Sequence, residues 1–116
     1  MSGFIYRIVT PEQWTEMQQT ERLPLSEIDI RDGYIHLSCK EQVLSTANRY
    51  FHSFQMLWVL AYPVVTLGSA LKMEAVPERE GEKFPHFYGP ALPLEWVSTA
   101  YILRREQGVF RGLETP

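Results

Sequence analysis

The sequence predicts an α+β domain, and three observations carry that expectation. Strand-like stretches rich in β-branched and aromatic residues recur along the chain, as in "FIYRIVT", "YIHLS", "MLWVLAY" and "WVSTAYILRR". Two capping boxes stand ahead of helically spaced apolar residues. No repeat, linker or low-complexity tract divides the chain, so residues 1–116 read as one domain.

The first stretch stops at Pro11. Thr10 then reads as an N-cap, with Pro11 at the first helical position and Gln13 at the third, ahead of a short helix ending near Thr20 with Trp14 and Met17 on one face. "ERLPLSEIDIR" shows no clean period and holds Pro24, so it reads as a loop leading to a turn at Asp32-Gly33. In "YIHLS", alternation places Tyr34, His36 and Ser38 on one face of a second strand and Ile35 and Leu37 on the other. Ser38 and Glu41 form an S-x-x-E box before a second helix, on which Val43, Leu44, Ala47, Tyr50 and Phe51 recur at helical spacing.

"MLWVLAY" is apolar on both faces and reads as a central strand. Gly68 and "LKMEA" give a turn and a fourth strand, and "VPEREGEK" reads as an exposed loop. "FPHFYGPALP" holds Pro85, Pro90 and Pro93, which predicts a stiff loop rather than a helix or a central strand. "WVSTAYILRR" is the last strand expected, with a frayed tail over about 107–116. Two main helices among some five strands give the α+β class.

Composition narrows the function. Hydrophobic residues make up 45% and charged residues 22% of the chain, as in a globular protein. A net charge of −3 gives no strong nucleic-acid signal, because a phosphate backbone is gripped by surplus cations. With Cys39 as its one cysteine the chain forms no internal disulfide, which suits a reducing compartment. "MSGFIYRIVT" lacks a charged leader, and the longest apolar run is too short to span a bilayer and contains a proline. The expectation is a soluble, cytoplasmic protein with no membrane partner.

Several side chains could carry chemistry. His36 follows a tight turn and precedes a helix, a place that collects ligand groups, although a histidine bonded to one carbonyl at a sheet edge would read alike. Ser38 is either an N-cap or an anion ligand at the helix start. Cys39 is a small buried residue or a thiolate activated by the helix dipole. Arg7 sits in an apolar strand and needs a partner: a carboxylate of a neighbouring strand, with Glu74 the obvious one, or a bound phosphate or carboxylate. Glu78, Glu80 and Glu82 read as a solvated loop. His36, Cys39, His52 and His86 show no zinc spacing, so no metal is expected. No phosphate loop, Rossmann fingerprint or nucleophile elbow occurs. What remains is an arrangement in which Arg7, His36, Ser38, His86 and Tyr88 could converge on one pocket.

"IYRI", "DGYIHLS" with its following helix, and "GEKFPHFYGPALP" together resemble, in order and over nearly the whole chain, the bacterial family named domain of unknown function 952. That family is grouped with the ADP-ribosyltransferase-like superfamily. The resemblance implies a compact split β-sheet core with helices packed on it and an NAD cleft between two sheets. By position, Arg7 is similar to the superfamily's first-strand arginine or histidine, and His36 with Ser38 to its second polar position. The late glutamate has no match at a strand start, since Glu78-Arg79-Glu80 and Glu80-Gly81-Glu82 fall in a loop.

On this resemblance the ligand is a small nucleotide, NAD or a related ADP-ribosyl compound, and the activity a transferase or glycohydrolase. Breaking the nicotinamide–ribose bond builds positive charge on the sugar, so a site must fix the ribose and stabilise that cation. Arg7 would take the pyrophosphate and His36 and Ser38 the ribose hydroxyls. Phe84 or Tyr88 would stack on a ring. Glu74 would stabilise the cation, with His86 the alternative participant. The other reading is a non-catalytic domain that binds a nucleotide or small anion as a sensor.

Overall fold

A computed structural model describes residues 3–116; residues 1 and 2 of the expected domain lie outside the described part. Among the described residues seven strands form two sheets. The first holds β1 (Phe4–Val9), β3 (Met56–Pro63), β6 (Thr99–Glu106) and β7 (Val109–Glu114) in the order β1-β3-β6-β7. The second holds β2 (Ile35–His36), β4 (Leu71–Val76) and β5 (Glu82–Phe87) in the order β2-β5-β4. All pairs are antiparallel. The helices are α1 (Pro11–Thr20), α2 (Glu27–Asp32), α3 (Val43–Tyr50) and the one-turn α4 (Val64–Leu67).

α1 starts as its residues dictate: Gln13 N–H donates to Thr10 Oγ1 at 3.1 Å and Thr10 N–H to Gln13 Oε1 at 2.9 Å. The apolar β3 lies between β1 and β6. Alternation along the first sheet splits the core in two. Ile5, Val9, Leu60 and Tyr62 face one cluster with Met17, Ile35, Leu37 and Phe87. Tyr6, Ile8, Val59, Ala61 and Leu103 face the other with Val43 and Ala47 of α3 and Phe110 of β7.

Four expectations are corrected. "SEIDIRD" is not loop: Ser26 caps α2, Asp29 N–H donating to Ser26 Oγ at 3.1 Å and Ser26 N–H to Asp29 Oδ2 at 2.9 Å. Short as it is, the helix is closed at both ends, with Gly33 at φ 79° as its C-cap. Ser38 does not cap a helix; its N–H and C=O both bond Tyr6 at 2.8 Å, and the cap of the following 3-10 turn at Lys40–Gln42 is Cys39. The tail does not fray. Gln107 and Gly108, both at positive φ, close a two-residue hairpin, and Asn48 holds the Phe110 backbone at both N–H and C=O.

The fourth correction concerns "FPHF", which lies in β5, the middle strand of the second sheet. Pro85 is tolerated because a residue's N–H and C=O point to the same side of an antiparallel strand. Leu37 N–H donates to Pro85 C=O at 3.1 Å, so the absent Pro85 N–H faces β2. The β4 ladder loses nothing, while β2 pairs over only two residues, Ile35 with Phe87 and His36 with His86.

Candidate functional site

The two sheets meet edge to edge at one backbone bridge, Tyr6 with Ser38. Two residues earlier, the His36 backbone also faces β1, and side chains take the place of a ladder there. His36 N–H donates to Asp29 Oδ1 at 3.1 Å, and Arg7 Nη1 donates to His36 C=O at 2.8 Å. Arg7 also grips Asp29 with both terminal nitrogens, Nη1 to Oδ1 at 3.1 Å and Nη2 to Oδ2 at 2.8 Å. This buried bidentate pair fills the split between the sheets.

The partner of Arg7 is thus Asp29, and the sequence expectation of Glu74 is corrected. Arg7 is also no free anion receptor: Asp29 neutralises it, three of its five N–H groups are spent on Asp29 and His36 C=O, and its Nε is buried without a partner. Burial by itself would raise the Asp29 pKa, but hydrogen bonds from His36 and Arg7 and the guanidinium charge outweigh it and hold the carboxyl far below its usual range. The His36 ring is held at both nitrogens, Nδ1 to Asp29 Oδ1 at 2.8 Å and Nε2 to Asp32 Oδ2 at 2.9 Å. Asp32 is held low, first by its hydrogen bond from Arg31.

A second group stands beside the first. Period-two alternation turns His36, Phe84, His86 and Glu74 to one face of the second sheet, opposite the face on which Ile35, Leu37 and Phe87 enter the core. Cross-strand pairing sets His36 against His86, with ring centroids 5.6 Å apart. His86 is 2% exposed, and its Nδ1 lies 2.8 Å from Glu74 Oε1. Tyr88 donates its hydroxyl to the same oxygen at 2.6 Å. That bond pushes the Tyr88 pKa up to about 12 and, with the contact from His86, lowers that of Glu74. Burial lowers the pKa of His86, and its Nε2 is buried with no hydrogen-bond partner.

Both groups border a cavity of about 990 Å³, whose wall includes Arg7, His36, Ser38, Phe84 and His86. Glu74 and Tyr88 stand behind His86 and outside that wall. Phe84 contributes a ring already covered by the Arg79 guanidinium, 4.8 Å from its centroid. Cys39 is not an activated thiolate, because burial raises its pKa. His52 lies outside the cavity wall, and among the described residues no three metal-ligating side chains converge. Among the described residues no helix is long and apolar enough to cross a membrane.

Three wall residues escaped the sequence reading. Asp29 and Asp32 were hidden in the segment read as loop, although S-x-x-D is itself a capping signature. Tyr34 shares its face with His36 and stacks on His86 with centroids 4.0 Å apart, a role that its alternation with His36 already hinted at.

The family described as "Protein of unknown function (DUF952)" matches residues 8–100. The fold is similar to the X-ray structure of protein CC0527 from Caulobacter crescentus, 34% identical over 94% of each chain, with a TM-score of 0.84. An X-ray structure of a double mutant of CC0527 matches with a TM-score of 0.83. The solution NMR structure of CC0527 gives 0.79, covering 92% of this chain and 90% of that one. No curated protein matches the chain.

Proposed function

Since the chain belongs to the DUF952 family, whose description states no activity, we propose from the cleft itself that it binds NAD or a related ADP-ribosyl compound. The observation that carries this reading is the pair of carboxylate-held histidines, His36 and His86, side by side on the wall of one large cavity. The cavity opens where two sheets part, as in the ADP-ribosyltransferase-like arrangement to which we assign the fold. Its volume of about 990 Å³ is at the upper end of what a small-molecule site requires. Tyr34 and the half-exposed Tyr50 offer ring faces beside the polar groups, as a nucleotide's flat and hydroxylated parts require.

Arg7 serves this site by holding Asp29 and the His36 backbone, not by taking a pyrophosphate. Ser38, bonded to Tyr6 through its backbone, leaves its hydroxyl for the ligand. Turnover would need a carboxylate to face the sugar cation; Asp29 and Asp32 are engaged with cations, Glu74 stands outside the wall, and among the described wall residues only the exposed Glu78 keeps a carboxylate without a partner. That observation favours ligand holding over transfer. Titrating the protein with NAD and ADP-ribose by NMR, with free nicotinamide assayed alongside, tests both readings. Binding that perturbs Tyr34 and His36 without release of nicotinamide is the expected result. Release abolished by His36→Ala would establish a glycohydrolase, and no binding of either compound would overturn the proposal.

A further inference from the structure

His86 Nε2 is a buried polar atom on the cavity wall that nothing among the described residues satisfies. Glu74 fixes what that atom is. A carboxylate only accepts, so the nitrogen facing it at 2.8 Å must carry the proton, and in a neutral ring the other nitrogen then bears a lone pair. Tyr88 donates to the same Glu74 oxygen, which keeps that carboxylate an acceptor. Leaving a buried acceptor unmet destabilises the fold, a cost that a donor arriving with a ligand removes.

The charges around it select the donor. Arg7 is neutralised by Asp29 and Arg31 by Asp32, while His36 stands between those two carboxylates. Arg79 lies 3.7 Å from Glu82. Among the described residues no arginine of the cavity wall is left without a carboxylate; Lys72, opposite His86 on β4, makes no ion pair but lies outside that wall, and Glu74 adds a negative charge behind the ring. We propose that His86 Nε2 is the hydrogen-bond acceptor of the cleft, and that the ligand places a neutral donor there, a sugar hydroxyl or ring N–H, and never a phosphate. On the ADP-ribosyl reading this puts the nucleoside part against His86 and the phosphates away from it; the assignment of Nε2 itself rests on the geometry alone.

The test is ¹⁵N NMR of the histidine rings at neutral pH. In the free protein His86 is expected as the Nδ1–H tautomer, and an Nε2–H or doubly protonated ring overturns the proposal without any ligand being needed. Glu74→Gln should raise the Nε2–H share. Adenosine is expected to shift the Nε2 resonance and inorganic phosphate to leave it in place. His86→Phe keeps a ring under Tyr34 and should weaken adenosine binding about tenfold, the loss of one hydrogen bond. Phosphate competing at Nε2, or no response to adenosine or ADP-ribose, which leaves water as its partner, overturns the inference. ADP-ribose that binds without moving Nε2 overturns it while the cleft reading stands. Adenosine that moves Nε2 while NAD and ADP-ribose fail to bind upholds it and removes that reading.

Discussion

Asp29 meets two demands at once, neutralising a buried guanidinium and receiving both the backbone N–H and the ring of His36. Removing it leaves Arg7 charged, buried and unpaired. Asp29→Ala should therefore cost about 3–5 kcal/mol in urea denaturation, well above an ordinary surface change. Acid should act on the two groups in turn. Burial keeps the His86 pKa below its ordinary 6.5, so as pH falls through that value the unfolded chain takes up a proton that the folded one refuses, and stability drops. Asp29 is depressed from 3.8, so its contribution is complete above that value and is lost as pH falls further. His86→Phe should abolish the first stage and spare the second, as read from unfolding midpoints against pH. The sequence marked Arg7 as needing a partner and pointed to Glu74 rather than Asp29, because residues 7 and 29 meet only through the docking of α2 on β1.

α2 is six residues long, too short to persist by propensity, so its caps and its docking hold it. Ser26→Ala should cost about 1 kcal/mol. Because this helix carries Asp29 and Asp32, the same variant should also broaden the His36 ring resonances, which a cap remote from the site would not do. Gly89 has a different constraint: a Cβ there would run into the ring of Phe87, which is core. Gly89→Ala should push that ring aside at a cost of about 1–3 kcal/mol, visible as a lowered melting temperature. The elements with strong local signals were legible, as with the Thr10 box of α1 and the apolar β3. Those missed also had signals, S-x-x-D for α2 and Gln107-Gly108 between two strands, but both were weaker than the Pro24 and tail position that argued for loop.

At the scale of the molecule, the two sheets share one core cluster and are joined along one edge by a backbone bridge and the Arg7 bond to His36 C=O, and the first sheet depends on its last strand. Removing residues 107–116 takes away β7, exposes the bed of Phe110 and frees Asn48. Loss of that buried ring alone is worth about 3–5 kcal/mol, so the shortened chain should lose its dispersed NMR spectrum. The sequence by itself determined the α+β class, most strand positions and the polar face of "YIHLS", because periodicity and capping are properties of neighbours along the chain. Only the tertiary structure decided that Asp29 answers Arg7, that Glu74 answers His86, and that Pro85 sits in a central strand. Each of these depends on register between segments far apart in sequence, and on which side of a strand a missing N–H happens to face.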